Sequence, residues 1–320
     1  MTTIRKALVT GAAGFIGGHL VKELKAKGVP TVGLDNKYDE DTDEKGRVYG
    51  DIRSLTDMVH AVELIKPDTV FHLAALASVR DGMARTELYL KNNILGTFYV
   101  LESIRQWNNS YEGRRLGGVK NFINISSGGT VYGEKNKLPI AVTETTYPLD
   151  IYGLTKLAND HLVRILCHQM GIKYWNLRYP NVYGEGQDPY GEAGVVAIFA
   201  RKMLDGVQPI INGDGRQTRD FMYVADVVKA TVDAVNQLEG DHNVGTGMQT
   251  SVNEIFKILK LVSGYDGEAK HGDSKQGEVR SISLKPSFPM EYTPLEEGLT
   301  ATLNWFRSHK SAQMDLKENK

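Results

Sequence analysis

A tyrosine and a lysine with the spacing of an acid–base pair stand in the stretch DIYGLTK, as Tyr152 and Lys156. On a helix, residues four apart share one face, so the phenol and the ammonium group would lie side by side. A phenol beside a positive charge can take up and return a proton. The spacing alone is weak evidence, because about one such pair is expected by chance among fifteen tyrosines. We assign both residues to catalysis because they follow a strand ending in serines, downstream of a nucleotide-binding turn.

The hydroxyl group that assists such a tyrosine would come from the stretch NISSGGTVYG. Neighbouring residues of a strand face opposite sides, so Ser126 and Ser127 cannot both point into one site. Two glycines follow, and they permit backbone conformations that could carry either Ser127 or Thr130 inward. We predict Ser127. The alternatives are Thr130 and a site in which water or Tyr152 acts without a hydroxyl partner.

A glycine triplet follows the first apolar run and precedes a helical pattern, at Gly11, Gly14 and Gly17. Glycines in that context let backbone N–H groups approach a pyrophosphate at the positive end of a helix. The spacing is GxxGxxG rather than GxGxxG. Asp35 ends the second predicted strand, where a carboxylate accepts hydrogen bonds from an adenosine ribose and repels a ribose phosphate. The pattern predicts NAD in preference to NADP. The alternative, for the glycine triplet and for Asp35 alike, is a turn with a purely structural role.

Apolar strand-like runs alternate with helix-length segments in the first half of the chain, and these elements must position the candidate residues. The runs are KALVTG, TVGLDN, RVYGDI, TVFHLAAL, NFINISS and KYWNLRY. They predict an α/β fold of the Rossmann type, with a doubly wound, mainly parallel sheet. After about Pro180 the pattern changes to short elements and glycine-rich loops, which indicate a smaller α/β substrate lobe. We predict an NAD-binding domain over 1–180 and a lobe mainly over 181–320, with the chain crossing between them.

The composition argues against several classes of partner. The formal net charge is −1, and no apolar run is long enough to span a membrane. We therefore expect neither nucleic acid nor a membrane as a partner. We also expect no metal, because the closest helical histidine pair has no acidic or sulfur ligand at suitable spacing. The single cysteine, Cys167, excludes an intrachain disulfide and indicates a reducing, cytoplasmic location.

A set of longer stretches covers nearly the whole chain. They are VTGAAGFIGGHL, GLDN, GDIRS, FHLAAL, NNILGT, SSGGTVYG, YGLTK, RYPNVYGEGQDP, INGDGRQTRDFMYVADV and YTPLEEGL. With these stretches the sequence resembles the extended short-chain dehydrogenases/reductases, and among them the NAD-dependent epimerases and dehydratases of nucleotide sugars. The resemblance implies a homodimer with NAD as cofactor. It also implies a UDP-hexose substrate whose configuration at C4 is inverted through a transient 4-keto sugar.

The resemblance implies roles for individual residues as well. The implied NAD contacts are Gly11, Gly14, Phe15, Ile16, Gly17, Asp35, Asn36, Asp51, Ile52, Leu73, Ala74, Ala75, Asn93, Tyr152, Lys156 and Tyr179. The implied substrate contacts are Ser127, Tyr152, Asn181, Arg219 and Arg280, with Asn181 and Arg219 on the diphosphate. For Arg219 an ion pair with Asp220 is the structural alternative, and for Asn93 a structural role inside a helix.

Departures from the family pattern concern mainly the substrate side. Gly128 occupies the usual place of the catalytic hydroxyl residue, and Pro180 stands where an aromatic residue is common. Lys275 stands where arginine is usual, and Arg280 is its candidate replacement. The segment 281–282 falls at the implied gate for acylated sugars. The insertion QWNNSYEGRRLGG is expected on the surface, because it is polar and contains glycine.

Two rival functions stay open beside the 4-epimerase. A 4,6-dehydratase needs an additional acid and base beside the hydroxyl residue, where this chain has Gly128 and Gly129. An NAD-sensing binding protein need not retain Tyr152 and Lys156. For the enzyme, a tyrosine pKa near 10 must fall toward about 7, and we expect Lys156 and the positively charged nicotinamide ring to lower it.

Overall fold

The computed structural model describes residues 4–38, 46–190, 194–274 and 279–309. The described chain forms two compact units. Of the described residues, those within Met1–Tyr132, Thr145–Tyr179 and Val228–Asn243 form the first unit, and those within Gly133–Glu144, Pro180–Val227 and Val244–Lys320 form the second. The assignment of NAD to one domain and of the nucleotide sugar to the other stays a prediction.

Strands and helices alternate along the described residues. The strands are β1 (Ala7–Thr10), β2 (Thr31–Asp35), β3 (Arg47–Tyr49), β4 (Thr69–His72), β5 (Asn121–Ser127), β6 (Lys173–Tyr179), β7 (Asn181–Tyr183), β8 (Ile210–Asn212), β9 (Thr218–Arg219), β10 (Phe221–Tyr223), β11 (Gly240–Asn243), β12 (Thr250–Ser251) and β13 (Lys270–Gly272). The helices are α1 (Phe15–Ala26), α2 (Leu55–Ile65), α3 (Val79–Ala84), α4 (Thr86–Tyr89), α5 (Gly96–Asn109), α6 (Tyr111–Leu116), α7 (Gly128–Val131), α8 (Ile151–Met170), α9 (Val195–Leu204), α10 (Val224–Asp233), α11 (Val252–Ser263) and α12 (Leu295–Ser308). A π-helical segment, Leu90–Leu95, joins α4 to α5, and a 3₁₀ turn, Ala234–Asn236, follows α10. Across the described ranges, none of these helices has the length and apolar character needed to cross a membrane.

A seven-stranded parallel sheet forms the centre of the first unit, in the order β11-β6-β5-β4-β1-β2-β3. The predicted Rossmann-type, doubly wound fold is therefore confirmed. The strand order reverses between β1 and β4, and in such sheets ligands bind outside the carboxyl ends of the strands near that point. Those strands end at Thr10 and His72, and their neighbours β2, β5 and β6 end at Asp35, Ser127 and Tyr179. The topology thus gathers residues from distant parts of the sequence at one edge.

Continuous burial of the central strands explains why their sequences are apolar runs rather than alternating patterns. Every residue of β1 and β4 is buried, as are the first six residues of β5. A parallel sheet that is covered by helices on both faces has this pattern. The core of the unit joins Leu8, Val70 and Phe122 of the strands to side chains of α2, α5 and α8.

Helix α8, which carries both candidate catalytic residues, has well-defined ends. The Asp150 carboxylate caps its first turn by accepting a hydrogen bond from the Gly153 N–H at 2.7 Å. Gly171, at a φ of 66°, ends the helix in the left-handed conformation that glycine adopts readily. A Cβ on Gly153 would lie 2.9 Å from the carbonyl oxygen of Thr130. Glycine at this position therefore lets the start of α8 pack closely against the segment that follows β5.

The insertion QWNNSYEGRRLGG lies only partly on the surface, which corrects the expectation. It continues α5 and then forms α6, whose first turn is capped by Ser110, which accepts a hydrogen bond from the Gly113 N–H. Tyr111 is 84% exposed, but Trp107 is only 4% exposed and belongs to the core of the first unit. Polar composition predicted a surface loop, whereas one large aromatic side chain anchors the segment because its burial is favourable.

The second unit packs α9, α11 and α12 around an apolar core that contains Phe199, Phe256 and Phe306. Its strands pair as β7–β10, β9–β12 and β8–β13. A buried carboxylate ties its loops together. Asp220 accepts hydrogen bonds from the N–H groups of Thr246, Gly247 and Leu284 at 3.0–3.1 Å. These bonds fix the backbone on both sides of Asp220, where β9 ends and β10 begins.

Candidate active site

Tyr152 and Lys156 lie together in the first turns of α8, next to the end of β5. The Lys156 Nζ donates a hydrogen bond to the Ile125 carbonyl oxygen at 2.7 Å and lies 5.8 Å from the centre of the Tyr152 ring. Lys156 is only 5% exposed, so this carbonyl replaces part of the water that an ammonium group would otherwise bind. The structure therefore brings the predicted pair together and fixes the lysine by the backbone of the neighbouring strand.

Burial dominates the electrostatics of this pair. It raises the pKa of Tyr152 to about 12. The hydrogen bond with Ser127 opposes this rise, whereas the charges of Asp150 and Tyr89 add to it. Burial likewise lowers the pKa of Lys156 to about 8. Without the cofactor, the loss of hydration outweighs the partners that favour the phenolate. The expected lowering of the Tyr152 pKa, which included the charge of the nicotinamide ring, stays a prediction. A cation that binds beside Tyr152 would shift its pKa back down.

Three hydroxyl groups near the end of β5 face different surroundings. The Ser127 hydroxyl forms a hydrogen bond with Tyr152 and lowers its pKa. Ser126 lies on the opposite face, near the buried Asp160, whose pKa it lowers, and its own buried hydroxyl oxygen has no partner of normal hydrogen-bond geometry among the described residues. The Thr130 hydroxyl oxygen is buried and has no hydrogen-bond partner among the described residues. The structure thus places Ser127 with Tyr152, in agreement with the alternation of side chains along a strand. Its role in catalysis stays a prediction.

The glycine turn between β1 and α1 has the shape of a phosphate cradle. Gly11 adopts a φ of +73°, and a Cβ there would lie 2.7 Å from the Ala74 backbone nitrogen. A Cβ on Gly17 would lie 2.1 Å from the Gly11 carbonyl oxygen. Gly14 precedes α1 without a side-chain cap, so the N–H groups of the first turn, at Phe15 and Ile16, lack the cap that a serine or aspartate would give. These features fit the pyrophosphate of a dinucleotide.

Asp35 shapes this turn from the end of β2. Its carboxylate accepts hydrogen bonds from the Ala13 N–H and the Lys37 N–H, both at 3.0 Å. The carboxylate therefore connects the glycine turn to the loop after β2. Each carboxylate oxygen has further lone pairs, so Asp35 can also accept hydrogen bonds from ribose hydroxyls.

The residues predicted beside the adenine form a second group at this edge. Asp51 holds Arg53 through a bidentate pair that includes a 3.0 Å hydrogen bond to the Arg53 Nε, and this bond lowers the pKa of Asp51. The exposed Asn36 also hydrogen-bonds Asp51. Ile52 is buried, and a Cβ on Gly96 would lie 2.7 Å from its side chain. Asn36 and Asp51 are thus neighbours, whereas Ile52 contributes to packing.

The segment after β4 is fixed by Asn93, which lies in the π-helical segment. The Asn93 side chain accepts a hydrogen bond from the Leu76 N–H at 2.9 Å and donates one to the Leu76 carbonyl at 3.0 Å. This pair of bonds orients the preceding residues, Leu73–Ala75. Tyr179 at the end of β6 is buried, and its hydroxyl forms a hydrogen bond with Thr231. Contact of these residues with NAD stays a prediction.

The second unit contains the residues predicted for the nucleotide diphosphate. Asn181 begins β7, and its N–H donates to the Asp220 carbonyl at 2.9 Å. Arg219 ends β9, and its Nη1 donates to the Thr218 carbonyl at 2.8 Å. β7 pairs with β10, which begins at Phe221, so Asn181 and Arg219 belong to adjoining backbone segments.

Arg280 lies at an open cavity of about 490 Å³ in the second unit. Both of its Nη groups donate to the Asp214 carboxylate at 2.9 Å. Polar groups of Asn212, Gln217 and Ser274 also line the cavity. Lys275, which departs from the family pattern, lies outside the described residues. In the implied gate segment, Ile282 is 2% exposed and its N–H donates to the Thr218 carbonyl.

Tyr89 is a neighbour of the candidate catalytic residues that the sequence analysis missed. It is 1% exposed, its hydroxyl accepts a hydrogen bond from the Ser78 N–H at 3.0 Å, and its charge raises the pKa of Tyr152. The only signal in the sequence is its position one helical turn before Asn93. That spacing occurs too often in helices to select a residue.

Comparison with known proteins places these features in a family. The model of the NAD dependent epimerase/dehydratase family matches residues 7–245. The UDP-glucose 4-epimerase of Thermotoga maritima, solved with UDP-glucose, has a TM-score of 0.87 and 37% identity, over 96% of this chain and 100% of that one. The enzyme of the same name from Thermus thermophilus, solved with NAD, has a TM-score of 0.85 and 33% identity, over 94% and 99%. The UDP-N-acetylglucosamine 4-epimerase of Methanobrevibacter ruminantium, in complex with UDP-N-acetylmuramic acid, has a TM-score of 0.85 and 29% identity, over 96% and 100%.

A parallel Rossmann-type sheet with a glycine turn and a Tyr–Lys pair at its carboxyl edge is an arrangement of dinucleotide-dependent enzymes. This chain belongs to the NAD dependent epimerase/dehydratase family. NAD is its cofactor. At Gly11 and Gly17 the turn packs backbone against backbone, as the tight turns of dinucleotide-binding folds do.

Replacement of Tyr152 by Phe removes only the phenol oxygen. We expect UDP-sugar turnover to fall at least about 10²-fold, because general acid–base catalysis contributes that much or more. NAD content and the unfolding temperature should stay unchanged. Tyr147→Phe is the matched control, since Tyr147 is 71% exposed. A Tyr152→Phe enzyme that keeps more than about a tenth of the wild-type rate would contradict the assignment.

Replacement of Ser127 by Ala removes the hydrogen bond that stabilises the phenolate of Tyr152. We expect a loss of about 10- to 150-fold in rate, which corresponds to about 1.5–3 kcal/mol for a hydrogen bond to a charged group. Because the pKa of Tyr152 rises further without this bond, the limb of the pH–rate profile that reports phenol ionisation should move to higher pH. Thr130→Val is the control of similar shape. A larger loss at Thr130 than at Ser127 would show that the choice of hydroxyl is wrong.

Proposed function

We propose that this enzyme inverts the configuration at C4 of a UDP-hexose of the glucose and galactose type. The observation that carries the proposal is the cluster of Ser127, Tyr152 and Lys156, in which one phenol has a hydroxyl partner and a buried ammonium group as neighbours. Inversion at a secondary alcohol needs one group that takes and returns the hydroxyl proton, and this cluster supplies it. The likeness to structures named as UDP-sugar 4-epimerases supports the same choice.

Tyr152 is the proton-transferring group in this proposal. Its Oη removes the proton of the C4 hydroxyl and later gives it back to the oxygen of the 4-keto sugar. Ser127 holds that oxygen and shares the proton, and Lys156 favours the phenolate electrostatically. When bound, NAD would supply the redox chemistry, as acceptor and donor of the C4 hydride.

The second unit would hold the nucleotide. We assign the diphosphate to Asn181 and Arg219, because a guanidinium fork matches the oxygens of a diphosphate. The polar cavity at Arg280 is a candidate site for the remainder of the nucleotide. Arg280 is already paired with Asp214, so a ligand that uses its guanidinium must share or replace that carboxylate.

A 4,6-dehydratase is the second candidate from the same family. That reaction eliminates water across C5 and C6, and it needs an acid and a base in addition to the tyrosine. Gly128 and Gly129 follow Ser127 directly, so this segment provides neither group. The glycines therefore favour epimerisation.

Proton NMR of four sugar nucleotides separates the candidate reactions in one assay. We expect the enzyme to interconvert UDP-glucose and UDP-galactose without added cofactor and without accumulation of NADH, because each hydride removed is returned. The rates with the N-acetylated forms of these two sugar nucleotides show whether the segment 281–282 admits the larger sugar. Loss of water from the sugar would indicate a dehydratase, and inertness toward all four compounds with NAD present would overturn the proposal.

A further inference from the structure

His72 stands at the end of β4, in the middle of a chain of buried hydrogen bonds. Its Nδ1 lies 2.8 Å from the Thr10 Oγ1, and its Nε2 lies 2.8 Å from the Thr97 Oγ1. All three residues are at most 2% exposed, so water does not compete for these bonds. Burial lowers the pKa of His72 to about 3, which keeps the ring neutral at physiological pH. A neutral imidazole donates from one nitrogen and accepts at the other, so its neighbours determine the tautomer.

These neighbours fix the direction of each hydrogen bond. The Thr97 hydroxyl lies 2.6 Å from the Asn93 carbonyl oxygen, which can only accept, so Thr97 uses its proton there. The His72 Nε2 must therefore donate to Thr97. At the other end, the Ala74 N–H donates to the Thr10 Oγ1 at 3.3 Å, which leaves the Thr10 proton for the Nδ1 of His72. The geometry thus specifies the tautomer with its proton on Nε2.

The chain connects two parts of the site. At one end is Thr10, which directly precedes the glycine turn and whose carbonyl accepts a hydrogen bond from the Leu73 N–H at 3.2 Å. At the other end is Asn159 of α8, whose Nδ2 donates to the Asn93 carbonyl and to the Thr97 hydroxyl, each at 2.9 Å. Helix α8 is the element that carries the catalytic tyrosine and lysine. His72 is therefore the link between the turn that fits the cofactor and the helix that carries the acid–base pair.

We infer that His72 is a positioning residue that holds the NAD-binding turn in register with the catalytic helix. Small displacements of reacting groups reduce rates strongly, so a fixed spacing between these two elements has a direct effect on catalysis. The inference depends on the proposed function only through the use of NAD, and the identity of the sugar does not enter it. If His72 only filled space, its replacement by Phe would leave the exchange rate of bound NAD unchanged.

Exchange of bound NAD for isotope-labelled NAD, measured on the full-length holoenzyme, tests this link. We expect His72→Phe to accelerate exchange at least about tenfold, which corresponds to about 1.4 kcal/mol, the worth of one hydrogen bond. Thr97→Val should act in the same direction, and Thr97→Ser, which keeps the hydroxyl, should exchange more slowly than Thr97→Val. Thr302→Val is the control: Thr302 is equally buried and donates to the Gly298 carbonyl one turn earlier in α12, outside the chain of bonds.

Nitrogen-15 NMR of the wild-type holoenzyme tests the tautomer directly and does not depend on whether a variant folds. We expect His72 to carry its proton on Nε2 and none on Nδ1 at neutral pH. A proton on Nδ1 would overturn the inference, as would an unchanged NAD exchange rate in folded His72→Phe protein. Neither measurement uses a sugar, so failure of the enzyme on UDP-hexoses would overturn the proposed function and leave this test intact.

Discussion

Lys156 is buried and Tyr152 is half-buried, and the chemistry of the site depends on what replaces the hydration that their polar groups lose. The Lys156 Nζ donates a hydrogen bond to the backbone carbonyl oxygen of Ile125 at 2.7 Å, and the Ser127 hydroxyl forms a hydrogen bond with the Tyr152 phenol. Neither partner offsets burial, which moves the pKa of Tyr152 up to about 12 and that of Lys156 down to about 8. A positive charge that binds beside the phenol would favour its ionised form and lower the pKa of Tyr152 again.

The sequence predicted the features that depend on backbone geometry and local spacing. The glycine turn is one, because Gly11 and Gly17 approach other backbone atoms so closely that a Cβ would not fit. The separation of Ser127 from Ser126 onto opposite faces is another, since side chains alternate along a strand.

Features that depend on tertiary packing were beyond the sequence. The direction of the Tyr152 pKa shift follows from burial, which only the folded chain shows. The contacts of His72 lie 62 and 25 residues away in the sequence, and no spacing rule connects them. Trp107 sits in a polar segment that resembles a surface loop, yet it joins the core. In each case the sequence shows the residue type, and the fold decides its surroundings.

Conversion of UDP-glucose that carries deuterium at C4, in ordinary water, is the most direct test of the central claim. The account predicts that the UDP-galactose product keeps the deuterium at C4, because the hydride leaves and returns to the same carbon while only the hydroxyl proton exchanges with Tyr152. Loss of the label to water, or its arrival at another carbon of the sugar, would contradict this account.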